Sequence, residues 1–126
     1  MQKGDLEAAA AEFRSAAEFS PVSPEIRFAL ASVEVKTDRV EDAKKQLTKA
    51  LELKPKYYDA DLLMGFIFVV EKNAGAAFPF LQEAMELQPN SPEPHEYIAE
   101  AYAEIGDLQT ANLERERASE LEAGAH

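Results

Sequence analysis

Apolar positions recur along the chain in steps of three and four, with no sustained alternation, which predicts helices throughout and no strand. Ile26, Leu30 and Val33 form one stripe, and Val40, Ala43, Leu47, Ala50 and Leu51 form the next. The spacing predicts a helix from Pro24 to Lys36, a turn at Thr37-Asp38 with Asp38 as N-cap, and a helix from Val40 to Leu53 ahead of Pro55. The alternation of helix and short turn then repeats, with helices expected over Tyr58–Glu71, Ala74–Leu87, Pro92–Ile105 and Leu108–Leu121. Pro79 falls inside the helix expected over Ala74–Leu87, so that helix is expected to begin late, near Ala77, after a longer turn.

Prolines and alanines give the period. Pro21, Pro55 and Pro89 lie 34 residues apart, and two alanine ladders keep the same step: Ala9, Ala43, Ala77, Ala111 and Ala16, Ala50, Ala84, Ala118. A fixed period of this length marks a stack of one supersecondary unit. Alanine lets neighbouring helices approach closely, and each proline stops a helix before the next unit.

On these residues the chain resembles the tetratricopeptide repeat (TPR) family. The family's small residue in the middle of helix A is supplied by Ala31, Gly65 and Ala99, and its Gly-Asp turn by Gly4-Asp5 and Gly106-Asp107. Its large apolar residue in helix B is Phe13, Leu47 or Leu81, followed by alanine and the closing proline. The resemblance implies an all-α, right-handed superhelical array of antiparallel helix pairs, seven helices in all. Residues 1–21 are then an orphan helix B, 22–55 and 56–89 are full repeats, and 90–126 are a terminal repeat with a short tail.

The chain departs from the family pattern at several positions. Arg27, Asp61 and His95 stand where a bulky aromatic is usual, and Glu34 stands in the column of Phe68 and Tyr102. A buried carboxylate there needs a partner or an edge location. Leu6, Ala9, Phe13 and Ala17 of the orphan helix are expected to lack their usual cover, which exposes Leu6 and Phe13 for self-association. A longer array or a second copy would supply that cover. At the other end Arg115 and Ser119 replace stacking residues, as a terminal repeat requires, and Leu121–His126 reads as a frayed tail.

Composition narrows the function. Net charge is −11 over 126 residues with no basic run, which disfavours nucleic acid and anionic membrane surfaces as partners. The absence of cysteine removes disulfides, thiolate chemistry and cysteine metal sites. The longest apolar run, Leu62 to Val70, is nine residues, too short to insert across a bilayer. No leader is legible at the N-terminus, so a soluble, cytoplasmic location is the default reading. The two histidines, His95 and His126, have no ligand spacing, and no phosphate loop or nucleophile elbow occurs. An enzyme, a cofactor and a metal are therefore not expected. His95 reads as a packing or surface residue.

The resemblance implies a non-catalytic interaction module whose helices A line a concave groove for a protein or peptide. Here the groove columns give Phe28, Ser32 and Val35, then Leu62, Phe66 and Val69, then the glutamate stripe Glu93, Glu96, Glu100 and Glu104. The basic carboxylate clamp of the better known peptide-binding members is missing from those columns. The expected partner is a segment with an apolar anchor flanked by lysine or arginine, met by Phe28, Ser32, Val35, Leu62, Phe66, Val69, Glu96 and Glu100. The alternative is a self-assembling scaffold that uses the same apolar surfaces for homo-oligomerisation. A lysine cluster on the second helix B (Lys44, Lys45, Lys49, Lys54, Lys56) is interleaved with Glu41 and Glu52 and reads as a solvated face.

Overall fold

The computed structural model describes residues 3–124, which form seven helices: α1 (Lys3–Phe19), α2 (Pro24–Lys36), α3 (Val40–Leu53), α4 (Tyr58–Val70), α5 (Ala74–Leu87), α6 (Glu93–Glu104) and α7 (Leu108–Gly124). No strand occurs among the described residues. The helix pairs are those the period predicts. Ser23 caps α2 by accepting from the Ile26 N–H at 3.2 Å, and Pro24 starts the helix where its missing N–H costs nothing.

The turn inside each helix pair is built the same way three times. Arg39 N–H donates to Glu34 O at 2.7 Å, Asn73 N–H to Phe68 O at 2.8 Å, and Asp107 N–H to Tyr102 O at 2.9 Å. The residue before each donor takes a left-handed backbone: Asp38 (φ 64°), Lys72 (φ 62°) and Gly106 (φ 87°). This corrects the expectation for Asp38. It closes the end of α2 in a left-handed turn, and the N-cap is Arg39, whose side chain makes no capping bond. Asn73 and Asp107 at the matching positions do cap, accepting from Ala76 N–H and Thr110 N–H.

Two further expectations change. Helix α5 begins at Ala74 rather than near Ala77 and carries Pro79 within it. The Asn73 cap fixes the start, while Gly75 and Pro79 are exposed, so water can satisfy the carbonyl that the proline leaves unpaired. Leu121–Gly124 are helical, extending α7 beyond the expected fraying point; His126 lies outside the described residues.

The contacts fall into two compact units, residues 1–60 and 61–126, with α4 starting in the first and continuing in the second. In the first unit α1 packs on α2 and α2 on α3. Leu6, Ala10, Leu30 and Val33 form a core, with Ala9 and Phe13 packed against it. Leu6 is thus 9% exposed, contrary to the expectation of an uncovered helix, because Leu30 and Val33 of α2 cover it from the following repeat; Ala17 is buried as well. In the second unit α5 packs on α6 and α6 on α7, around Val69, Ala74, Ala77, Leu81, Ile98 and Ala101. The ladder positions Ala43, Ala77, Ala111, Ala50, Ala84 and Ala118 are all buried.

The charge divides unevenly between these units. Residues 1–60 carry ten Lys and Arg against eleven Asp and Glu, whereas residues 61–126 carry three against thirteen. Net charge is therefore −1 and −10, and nearly all of the excess lies in the second unit.

Candidate interaction surface

In the second unit, α4 and α6 bring together Phe66 and Tyr97, half-buried rings with centroids 5.3 Å apart and planes tilted by 51°. Such tilted pairs are favoured by the ring quadrupoles. Leu62, half-buried one turn before Phe66, packs against the core of this unit. Glutamates border the rings. The Tyr97 hydroxyl is held above the ordinary phenol range, first by burial and then by Glu96, Glu93 and Glu100.

Glu96 links this border to the last helix. The approach of the Glu122 carboxyl from α7 first, then partial burial and the charges of Glu93 and Glu100, raise the Glu96 carboxyl above the usual carboxylate range. Beside them lies a cavity of 410 Å³, lined by Glu96, Glu100, Arg115, Ala118, Ser119 and Glu122. Arg115 is the one basic side chain among the carboxylates that line it.

The structure brings Leu62, Phe66, Glu96 and Glu100 to neighbouring positions and removes Val69 from them. Val69 is 1% exposed and belongs to the core with Ile98 and Ala101, because the approach of α6 covers that side of α4. The glutamate stripe also divides. Glu104 turns toward the α4–α5 turn, where its Oε2 lies 3.7 Å from Lys72 Nζ, away from the Glu96 cavity. Tyr97, Arg115 and Glu122 were not singled out as contact residues in the sequence. Arg115, Ser119 and Glu122 follow helical steps of four and three, a signal that becomes visible once α7 is continued past Leu121.

In the first unit, Phe28, Ser32 and Val35 lie half-buried along α2. Phe28 packs on Tyr57 with centroids 5.7 Å apart, and Lys54 Nζ stands 4.5 Å from the centre of the Tyr57 ring. The Ser32 hydroxyl donates to Phe28 O at 3.1 Å, so it is engaged within its own helix. Of the expected self-association residues, Leu6 is buried and Phe13 half-buried; the apolar side chains that α1 and the following turn expose are Phe19 and Val22. The lysine face of α3 is exposed at Lys45 and Lys49, while Lys44 pairs with Glu41 at 3.1 Å.

Polar residues inside the units are only partly matched: Arg14 Nη2, Arg27 Nε, Glu34 Oε1, Asp61 Oδ2 and Glu104 Oε1 are buried without a hydrogen-bond partner. Arg27 Nη1 donates to Gln46 Oε1 at 2.9 Å. His95 is buried, not a surface residue: its Nδ1 lies 2.7 Å from Glu114 Oε2, and Arg117 Nη1 donates to Glu114 Oε1 at 3.2 Å. Glu34 is 2% exposed, with no hydrogen-bond partner for Oε1. Burial above all, and then the charge of Asp42, raise its carboxyl, while Arg14 and Arg39 act in the opposite direction. Among the described residues, no group of three or more His, Asp or Glu is placed to hold a metal ion, and no helix is long and apolar enough to cross a membrane.

Several solved structures share this architecture. MamA MSR-1 C2 aligns with a TM-score of 0.85 at 20% identity, over 98% of this chain and 71% of its own. A crystal structure of MamA gives 0.89 at 20% identity, over 95% and 70%. TTC0263, a thermophilic TPR protein of Thermus thermophilus, gives 0.80 at 21% identity, over 94% and 66%. At such identities the likeness is one of fold. No curated protein sequence matches the chain significantly. The tetratricopeptide repeat model matches residues 1–64, and the chain belongs to that family, whose fold serves protein–protein interaction and scaffolding.

Proposed function

We propose that the chain is a non-catalytic interaction module that takes a peptide segment with an apolar anchor flanked by lysine or arginine. The observation that carries this reading is the Phe66–Tyr97 ring pair bordered by Glu93, Glu96 and Glu100. The half-buried rings and Leu62 offer the anchor a surface, worth about 25 cal/mol for each Å² of apolar area removed from water. The glutamates and Glu122 answer the flanking cations, with a salt-dependent gain. In the first unit Phe28, Ser32 and Val35 are proposed as further contacts. The expected readings of protein or peptide as partner, and of nucleic acid as an unfavoured one, rest here on the net charge of −10 in residues 61–126.

The test is a peptide library with one apolar anchor and a varied number of flanking lysines, titrated against wild type and two variants. Phe66→Glu is expected to abolish binding. Reversal of Glu96 and Glu100 to lysine is expected to weaken it and to flatten its dependence on salt. Wild-type binding by both variants defeats the reading.

A second reading, homo-oligomerisation, is favoured by Phe19, which is 96% exposed beside the exposed Val22. Light scattering after size exclusion, over about a hundredfold range of concentration, decides it. A constant monomer mass rejects self-assembly; a mass that grows with concentration and shrinks on Phe19→Ser supports it.

A further inference from the structure

Asp61 breaks a pattern that the helix pairs before and after it keep. In α2 and α6 the residue at this position meets a polar partner nineteen residues on, as Arg27–Gln46 and His95–Glu114. The residue nineteen positions beyond Asp61 is Phe80, and its ring stacks on Phe68 with centroids 5.9 Å apart and planes within 22°. The second helix pair, α4–α5, thus carries an aromatic side chain where its neighbours carry a polar partner, with an acid at the position of Arg27 and His95. Asp61 is 4% exposed, and its Oδ2 has no hydrogen-bond partner. A buried carboxylate with an unmet oxygen is costly, whereas the neutral acid is far less so.

The charges around Asp61 do nothing to relieve it. Glu83 of α5 acts on it with the wrong sign. Burial, the larger cause, and Glu83 together push its carboxyl up to about 7.

We propose that Asp61 makes the α4–α5 pair a proton-sensitive joint, closed while the carboxyl is neutral and loosened at the start of α4 when it ionises. Leu62 is the next residue, and Phe66 lies little more than one turn further along the same helix. On the reading of these two as contact residues, the joint sets how well the contact face is ordered near neutral pH. The folded chain holds the Asp61 proton more tightly than the unfolded chain. Its contribution to stability is therefore full below the ordinary carboxyl range, is lost as pH rises to about 7, and stays constant above that.

The experiment follows the Asp61 carboxyl by carbon-detected NMR in the full chain. Amide-exchange protection along α4 and thermal unfolding are recorded alongside, from about pH 5 to about pH 8. Wild type, Asp61→Asn and Phe80→Gln are compared. The expected carboxyl midpoint is near 7. Wild-type Tm should decline to that point and then level, with α4 protection dropping severalfold. Asp61→Asn should remove this part of the decline. Phe80→Gln, which copies Gln46 and supplies an N–H donor, should lower the midpoint. A midpoint in the ordinary carboxylate range, or an Asn variant that keeps the wild-type decline, overturns the proposal. Should Asp61→Asn fail to fold, the wild-type titration and Phe80→Gln decide it. None of these readouts uses a partner, so their failure leaves the peptide-binding reading to its own test.

Discussion

Leu81 of α5 lies directly on the backbone of Gly65 in α4, so that a methyl added at Gly65 would meet Leu81 Cγ at 2.6 Å. Leu81 is fully buried and packed against Ala77 and Ile98, so it has little room to withdraw. Gly65→Ala is therefore expected to destabilise the chain by about 1–3 kcal/mol through overpacking, despite the better helix propensity of alanine. Urea unfolding measures this. In a Leu81→Ala background, itself less stable, Gly65→Ala should cost less than in wild type, since the two changes act on one contact.

The left-handed turn residues give a graded prediction. Lys72→Gly is expected to stabilise by about 1 kcal/mol, because a lysine at φ 62° carries a steric cost that glycine avoids. The Lys72–Glu104 pair lost in the exchange is partly solvent-exposed and contributes little. Asp38→Gly should gain less, aspartate being more tolerant of this conformation, and Gly106→Ala should be destabilising. Thermal unfolding of the three variants checks the order.

His95 and Glu114 hold α7 onto α6. Glu114→Ala is expected to cost about 1–3 kcal/mol, the range for leaving a buried hydrogen-bonding group without its partner, and to reduce exchange protection along α7 first. A double-mutant cycle with His95→Ala should show strong coupling between the two. Independent effects would mean the pair does not act as a unit.

Glu34 offers a test through pH. Its folded carboxyl is raised, mainly by burial, so its stabilising contribution is present below the ordinary carboxylate range and lost as pH rises through the raised value. Glu34→Gln is expected to be more stable than wild type at neutral pH by about 1–2 kcal/mol, with the difference closing on acidification. Unfolding curves across that range measure the gap.

Helix existence was legible because proline, alanine and the three-four apolar steps act locally. Pro24, Lys36, Val40 and Leu53 bound their helices as the pattern predicts. What failed depended on partners distant in sequence or on dihedral demands. Asp38 looked like a cap by residue type, but the turn takes its backbone left-handed. Val69 looked like a groove residue by spacing, but α6 covers it. The cavity beside Glu96 needs Arg115 and Glu122 from α7, and no local pattern announces that pairing. The unmet Oδ2 of Asp61 stands out only against the polar pairs Arg27–Gln46 and His95–Glu114 of the neighbouring helix pairs.

The uneven division of charge between the two units bears on how an encounter begins. A field from a net charge of −10 in residues 61–126 acts at a distance, before any side chain of a cationic partner is in contact. Its effect belongs to the rate of arrival and to the half of the chain at which arrival occurs. On the proposed peptide-binding reading, added salt should slow capture well before it shortens the lifetime of a complex held by Phe66 and Tyr97.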